Sequence, residues 1–144
     1  LSEKVLQQKI PILGICLGMH LWSKKSEEGN TIGLGWIDAD TVKFRIKNNQ
    51  KYKIPHMGWN NIFTNNNSPI MNGINESDEF YFVHSYHLVC DIGDIIISET
   101  EYGYRFVSAI QKGNIYGTQF HPEKSHRTGM KIIVNFYRYA RTFL

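Results

Sequence analysis

The sequence has 144 residues, 42% of them hydrophobic and 20% charged, with a formal net charge of +3, which suits one soluble domain with its own core. The basic residues are scattered apart from residues 43–53, so there is no stripe of the kind a nucleic-acid binder needs. Two cysteines, Cys16 and Cys90, exclude a disulfide scaffold and fit a reducing cytoplasm, and no apolar run nears the roughly 18–20 residues of a membrane span.

In chain order, residues 2–9 read as the end of a helix. Residues 9–14 form a short apolar run suited to a strand buried on both faces, with Pro11 confined to a place where its missing N–H does not matter. Residues 17–26 predict a helix with Leu17, His20, Leu21 and Lys24 on one face. Residues 29–35 are a Gly-rich polar loop. Residues 37–46 predict a strand with Val42, Phe44 and Ile46 on one side, and 52–54 extend the ladder across a turn at Asn48, Asn49 and Gln50. Residues 64–79 are a polar loop with one helical turn, and 79–85 are aromatic and strand-prone. Strands are expected at 94–99 and 106–110 around a turn at Gly103, and again at 113–119. Residues 129–139 predict an amphipathic helix burying Ile132, Ile133, Phe136 and Tyr137.

Two motifs carry chemistry. Gly14-Ile15-Cys16-Leu17-Gly18 stands between a predicted strand and a predicted helix. Such a turn strains the nucleophile's backbone, and glycines on both sides remove clashing side chains. The thiol then sits at a helix N-terminus, which favours thiolate, and the Leu17 N–H points where an oxyanion would form. His121-Pro122-Glu123 closes the 113–119 strand. A catalytic thiol needs a base, and the base needs a carboxylate to orient it; in an extended His-x-Glu both side chains point the same way. A structural cysteine in a tight turn and a surface His beside a surface Glu are the plain alternatives. The histidines show no zinc-type spacing, and no metal or organic cofactor is implied.

With residues 11–19 and 117–125, the segments Ser26-Glu27-Glu28-Gly29, residues 55–60 and residues 81–86 give five matches in order. Together they resemble the class I (triad) glutamine amidotransferases, and within them the glutaminase subunits of imidazole glycerol phosphate synthase. The resemblance implies a three-layer α/β/α, flavodoxin-like domain with a mixed, mostly parallel sheet. It implies that Cys16 forms a glutamyl thioester, with His121 as base and then acid and Glu123 orienting it. Leu17, His20, Glu28 and the segment His84, Ser85, Tyr86 fall where the family holds glutamine. Met57, Trp59, Asn60 and Lys124 fall on the family's face toward a HisF-type (β/α)8 barrel synthase that receives the ammonia. Trp59 as a core residue and Lys124 as an ordinary surface lysine remain alternatives.

Three departures stand out. His20 replaces a family glutamine that looks like a substrate contact, which implies weaker or altered glutamine binding. Residues 33–39, with Trp36, Asp38 and Ala39, look closer to a paralogous branch that supplies ammonia for amidino groups on surface sugars. Fifteen residues precede Cys16, fewer than the family has, so the chain is expected to be one glutaminase domain over 1–144, incomplete at its N-terminus, with an open sheet edge, poor folding and little activity alone. A partner-independent γ-glutamyl hydrolase and a non-catalytic regulatory subunit are competing readings.

Overall fold

The computed structural model describes residues 1–47, 50–65 and 67–143; Asn48 and Asn49 of the expected turn lie outside them. After a helical turn at Glu3–Gln7, the chain runs through β1 (Ile12–Ile15), α1 (Leu17–His20), β2 (Lys25–Ser26), a 3-10 turn at Glu28–Asn30, β3 (Thr31–Ile32) and β4 (Ala39–Lys43). Then come β5 (His56–Asn61), β6 (Phe63–Thr64), a 3-10 turn at Pro69–Met71, β7 (Glu79–His84) and β8 (Tyr86–Cys90). The last third holds β9 (Ile96–Tyr102), β10 (Tyr104–Lys112), β11 (Ile115–Thr118), a 3-10 turn at Pro122–Lys124 and α2 (His126–Arg141).

The main sheet runs β1-β11-β10-β8-β4-β2-β3, with β9 on β10 and β6 on β9. It is mixed, as expected. Among its described pairs, β1–β11 and β2–β4 are parallel and the others antiparallel, so the sheet is less parallel than the sequence suggested. The reason is connection length: a parallel neighbour needs a crossover of a dozen or more residues, whereas β9, β10 and β11 are joined by tight turns at Gly103 and Gly113. Among the described residues, β1 is paired on one side only. A separate ribbon is made by β5 and β7, antiparallel, with Met57 opposite Val83 and Trp59 opposite Tyr81.

Strand alternation, reset in β10 by a register irregularity between Val107 and Ile110, feeds two cores. Phe106, Ala109 and Tyr116 join Phe44, Phe80, Phe82, Phe120 and Ile132 of α2. Val107, Ile110 and Ile115 join Met19, Trp22, Trp36, Ile37, Ala39 and Val5 of the first helical turn. The sheet is thus covered on both faces.

The expected helix over 17–26 ends after one turn, at His20. The carbonyls of Leu21, Trp22 and Ser23 accept from the N–H groups of Leu34, Ile37 and Gly35, and the Lys24 N–H goes to Ala39. The Trp22 and Ser23 N–H groups fall back to Met19 and His20, three residues earlier, so the i→i+4 ladder stops there and the next carbonyls pair with the following loop instead. Leu17 and Leu21 are exposed, and Met19 and Trp22 take the buried face instead. Gly33 permits the close approach, since a Cβ there would lie 2.0 Å from the Ser23 carbonyl oxygen. Residues 52–54 form no strand; Tyr52 packs edge-on against Tyr102. In α2, Tyr137 is exposed rather than buried, and Tyr139 packs on the core in its place.

Gly33→Ala is expected to destabilise the chain by more than about 2 kcal/mol, because the obstacle is backbone. Gly18→Ala, whose Cβ meets nothing within 4 Å, is expected to be neutral or to gain up to about 1 kcal/mol of helix propensity. Thermal melts of the two variants check this.

Candidate active site

Cys16 sits at φ 51°, ψ −109°, a region L-residues avoid, between β1 and α1. Its N–H donates to the Thr118 carbonyl at 2.7 Å, one step beyond the β1–β11 pairs Gly14–Gly117 and Ile15–Thr118. The expected role of the flanking glycines holds for one of them. A Cβ at Gly14 would lie 2.4 Å from the Trp22 ring, whereas Gly18 faces open space.

The sulfur is partly buried and contacts the Val83 carbonyl at 3.9 Å and the Gln119 side-chain nitrogen at 3.6 Å. Burial pushes the thiol above its ordinary pKa; the Leu17 N–H and the Gln119 amide pull the other way, and the carboxylates of Glu28 and Glu123 add to the rise. The sequence argument expected a thiolate at a helix N-terminus. A one-turn helix supplies too little aligned dipole to offset that burial, so the resting group is a thiol.

His121 Nδ1 lies 2.6 Å from Glu123 Oε1. A carboxylate only accepts, so Nδ1 carries the hydrogen and Nε2 is left with a free lone pair. The pair forms as expected, but not through an extended His-x-Glu. Pro122–Lys124 is a 3-10 turn with proline at its first position, and His121 precedes it in extended conformation. The His121 N–H donates to the Tyr81 carbonyl, and Ser125 Oγ donates to the His121 carbonyl while accepting the Tyr81 N–H. No hydrogen bond joins the His121 ring to Sγ among the described residues; the ends of β1, β11 and β7 bring the two to one place without closing that contact.

The remaining candidates separate. Glu28 is exposed, yet near enough to act on the thiol. Ser85 and Tyr86 are half-buried where β7 gives way to β8, and the Ser85 carbonyl takes the Phe44 N–H. The His84 ring faces inward: its Nδ1 donates to the Tyr86 carbonyl at 2.8 Å, so its Nε2 accepts from His56 Nδ1 at 2.9 Å. His56 Nε2 then accepts from Asn60. His20 is buried, with Nε2 2.7 Å from Gln119 Oε1. Met57 and Trp59 share the outward face of the ribbon, with Trp59 45% exposed and stacked on His126, and Lys124 is exposed beside Glu123. Gln119 was missed as a site residue. The period-2 rule that paired His121 with Glu123 also puts Gln119 on the side of His121 and was the available signal. Among the described residues no cluster has the makings of a metal site, and no helix is long and apolar enough to cross a membrane.

A strained cysteine turn and a His–Glu pair thus lie on a mixed sheet covered on both faces. The chain belongs to the class-I glutamine amidotransferases, whose family model matches residues 1–140. It is 52% identical over 140 residues to imidazole glycerol phosphate synthase subunit HisH 2 of Methanococcus maripaludis, covering 97% of this chain and 68% of that one. It is 46% identical to the HisH 2 subunit of Pseudomonas aeruginosa, covering 94% and 66%. The chain thus spans about two thirds of the length of these relatives. A glutamine amidotransferase from Thermotoga maritima shares the fold with a TM-score of 0.59 at 20% identity, over 97% of this chain and 52% of that one.

Two expectations follow from the site's local physics. Cys16→Gly and Cys16→Ala both lose the thiol, but only Gly accepts φ 51° freely. The Gly variant should be more stable by about 1 kcal/mol in denaturant unfolding.

Burial depresses His56 to about 4, and His84 and His87 also fall below the ordinary imidazole value. The unfolded chain takes up protons below about pH 6.5 that the folded chain refuses. Stability from these groups is therefore complete above that pH and falls with pH, at about 1.4 kcal/mol per pH unit for His56 as pH drops toward 4, with His84 and His87 acting in the same direction. The melting temperature should drop clearly between pH 7.5 and 5; a flat profile would refute the assignment of neutral buried rings.

Proposed function

We propose that this chain is the glutaminase part of an imidazole glycerol phosphate synthase-type amidotransferase, hydrolysing glutamine to glutamate and ammonia and passing the ammonia to a barrel synthase for histidine biosynthesis. The observation that carries this is the strained Cys16 in contact with the Gln119 amide, two residues before His121, whose Nδ1 is held by Glu123. The names of its relatives support the pathway.

In this reading His121 Nε2 takes the Cys16 proton as sulfur attacks the side-chain carbonyl of glutamine. The oxyanion is met by the Leu17 N–H. The same proton leaves with ammonia, and water attacks the resulting thioester with His121 again as base. Glutamine is held by the Glu28 carboxylate at its ammonium and by the backbone of residues 84–86 at its carboxylate. Met57, Trp59 and Lys124 form the docking face, whereas Asn60, named with them from the sequence, turns inward onto His56. Closing the gap between Sγ and the His121 ring on binding is the step that makes the triad competent, since catalytic contacts often tighten only in the complex.

The amidino-sugar destination is less well supported. Trp36 and Ala39, on which it rested, are buried and pack the core, with Trp36 stacked on Trp22 and Asp38 paired with Lys24. Their departure from the histidine-pathway pattern has a packing explanation.

Glutamine-dependent ammonia release should be low for the chain alone and rise with a HisF-type barrel partner. It should vanish in Cys16→Ala and fall roughly 10²–10⁴-fold in His121→Ala. Release unaffected by the partner selects a free-standing hydrolase, and none with it selects a regulatory subunit.

A further inference from the structure

We infer that His20 is a positioning residue for the nucleophile, fixing the Gln119 carboxamide so that its NH2, not its oxygen, faces the Cys16 sulfur. The inference rests on the glutaminase reading for its kinetic consequences, but its geometry does not. His20 lies on α1 four residues after Cys16, and its N–H donates to the Cys16 carbonyl. The ring is 5% exposed, and Nε2 stands 2.7 Å from Gln119 Oε1. An amide oxygen only accepts, so Nε2 carries hydrogen and donates. The other end of the amide, Nε2 of Gln119, then donates to Sγ at 3.6 Å. Flipping the amide would turn its oxygen toward the sulfur, losing the one side-chain donor to a thiolate, and would require His20 to take the other tautomer.

The chain His20–Gln119–Cys16 matters because few groups favour a thiolate here. The Leu17 N–H and the Gln119 amide do; burial, Glu28 and Glu123 oppose it. Losing the orientation of Gln119 removes one of two favourable contacts. Protonating His20 leaves its Nε2–H in place, so the hold is independent of pH. A histidine whose donor is spent on Gln119 has no such hydrogen for glutamine, which replaces the substrate-contact role expected from the sequence.

The test is the pH profile of Cys16 alkylation by iodoacetamide, resolved by peptide mass so that Cys90 does not interfere, in the full chain. His20→Phe keeps the ring but removes the donor. The Cys16 profile should move to higher pH, with alkylation at pH 8 falling roughly tenfold if the shift is one pKa unit. Gln119→Leu should do the same, the double variant should add nothing, and His20→Gln, whose amide again donates, should restore the profile. With a barrel partner, His20→Phe should lower kcat and leave KM for glutamine unchanged. An unmoved alkylation profile in folded His20→Phe, or a rise in KM alone, would overturn the inference. A chain without glutaminase activity would sink the functional proposal, while the alkylation arm would still decide the role of His20.

Discussion

The site depends on the parallel pairing of β1 with β11. Gly14 lies opposite Gly117, and both lack side chains for a reason. A Cβ at Gly14 would meet the Trp22 ring at 2.4 Å, and one at Gly117 would meet Met19 at 2.5 Å. Two bare residues in register make a shallow floor on which α1 lies directly. Met19 and Trp22 fill it and are buried. Once that floor is set, the chain after Ile15 must turn sharply, and the chain after Thr118 must run beside it. Cys16 and Gln119 are therefore neighbours by register, with His121 two residues further on, although more than a hundred residues of sequence separate the first from the others.

The same arrangement sets the electrostatics. A partly buried sulfur beside two carboxylates holds its proton, so nothing in the resting site commits it to attack. The His121 ring beyond it has its Nε2 lone pair freed by the Glu123 contact. The Glu123 side chain is 45% exposed, and the His121–Glu123 pair contributes little to stability for that reason. Its value lies in fixing which ring nitrogen carries hydrogen. Burial of the thiol, tautomer control at the histidine and amide orientation at Gln119 are three separate devices acting on one proton.

Local pattern revealed what local interactions decide. Glu79–His84, Ile96–Tyr102, Tyr104–Lys112 and Ile115–Thr118 are strands, and His126–Arg141 is a helix, where alternation and amphipathicity placed them. The elbow and the His–Glu pair were legible because spacing alone specifies them. The length of α1 was not, because the carbonyls that end it are claimed by residues 34–37, a contact no propensity encodes. Gln119 was not assigned, and His20 was assigned from family position alone, for a similar reason. Their roles belong to a three-residue chain that exists only after β1 and β11 pair. His84 shows the limit from the other side: the segment reaches the site, but the ring itself is committed to a buried relay with His56.

The ribbon of β5 and β7 links the outer surface to this chemistry. Met57 and Trp59 face outward, and their cross-strand partners are Val83 and Tyr81. The Val83 carbonyl contacts the Cys16 sulfur, and the Tyr81 carbonyl holds the His121 N–H. The exposed pair and the two carbonyls thus sit on adjoining strands, one register step apart, with the inner face anchored by His56, Phe82 and His84 in the core. A ribbon fixed on its inner face and exposed at Met57 and Trp59 therefore reaches the sulfur and the His121 backbone through two neighbouring carbonyls of β7.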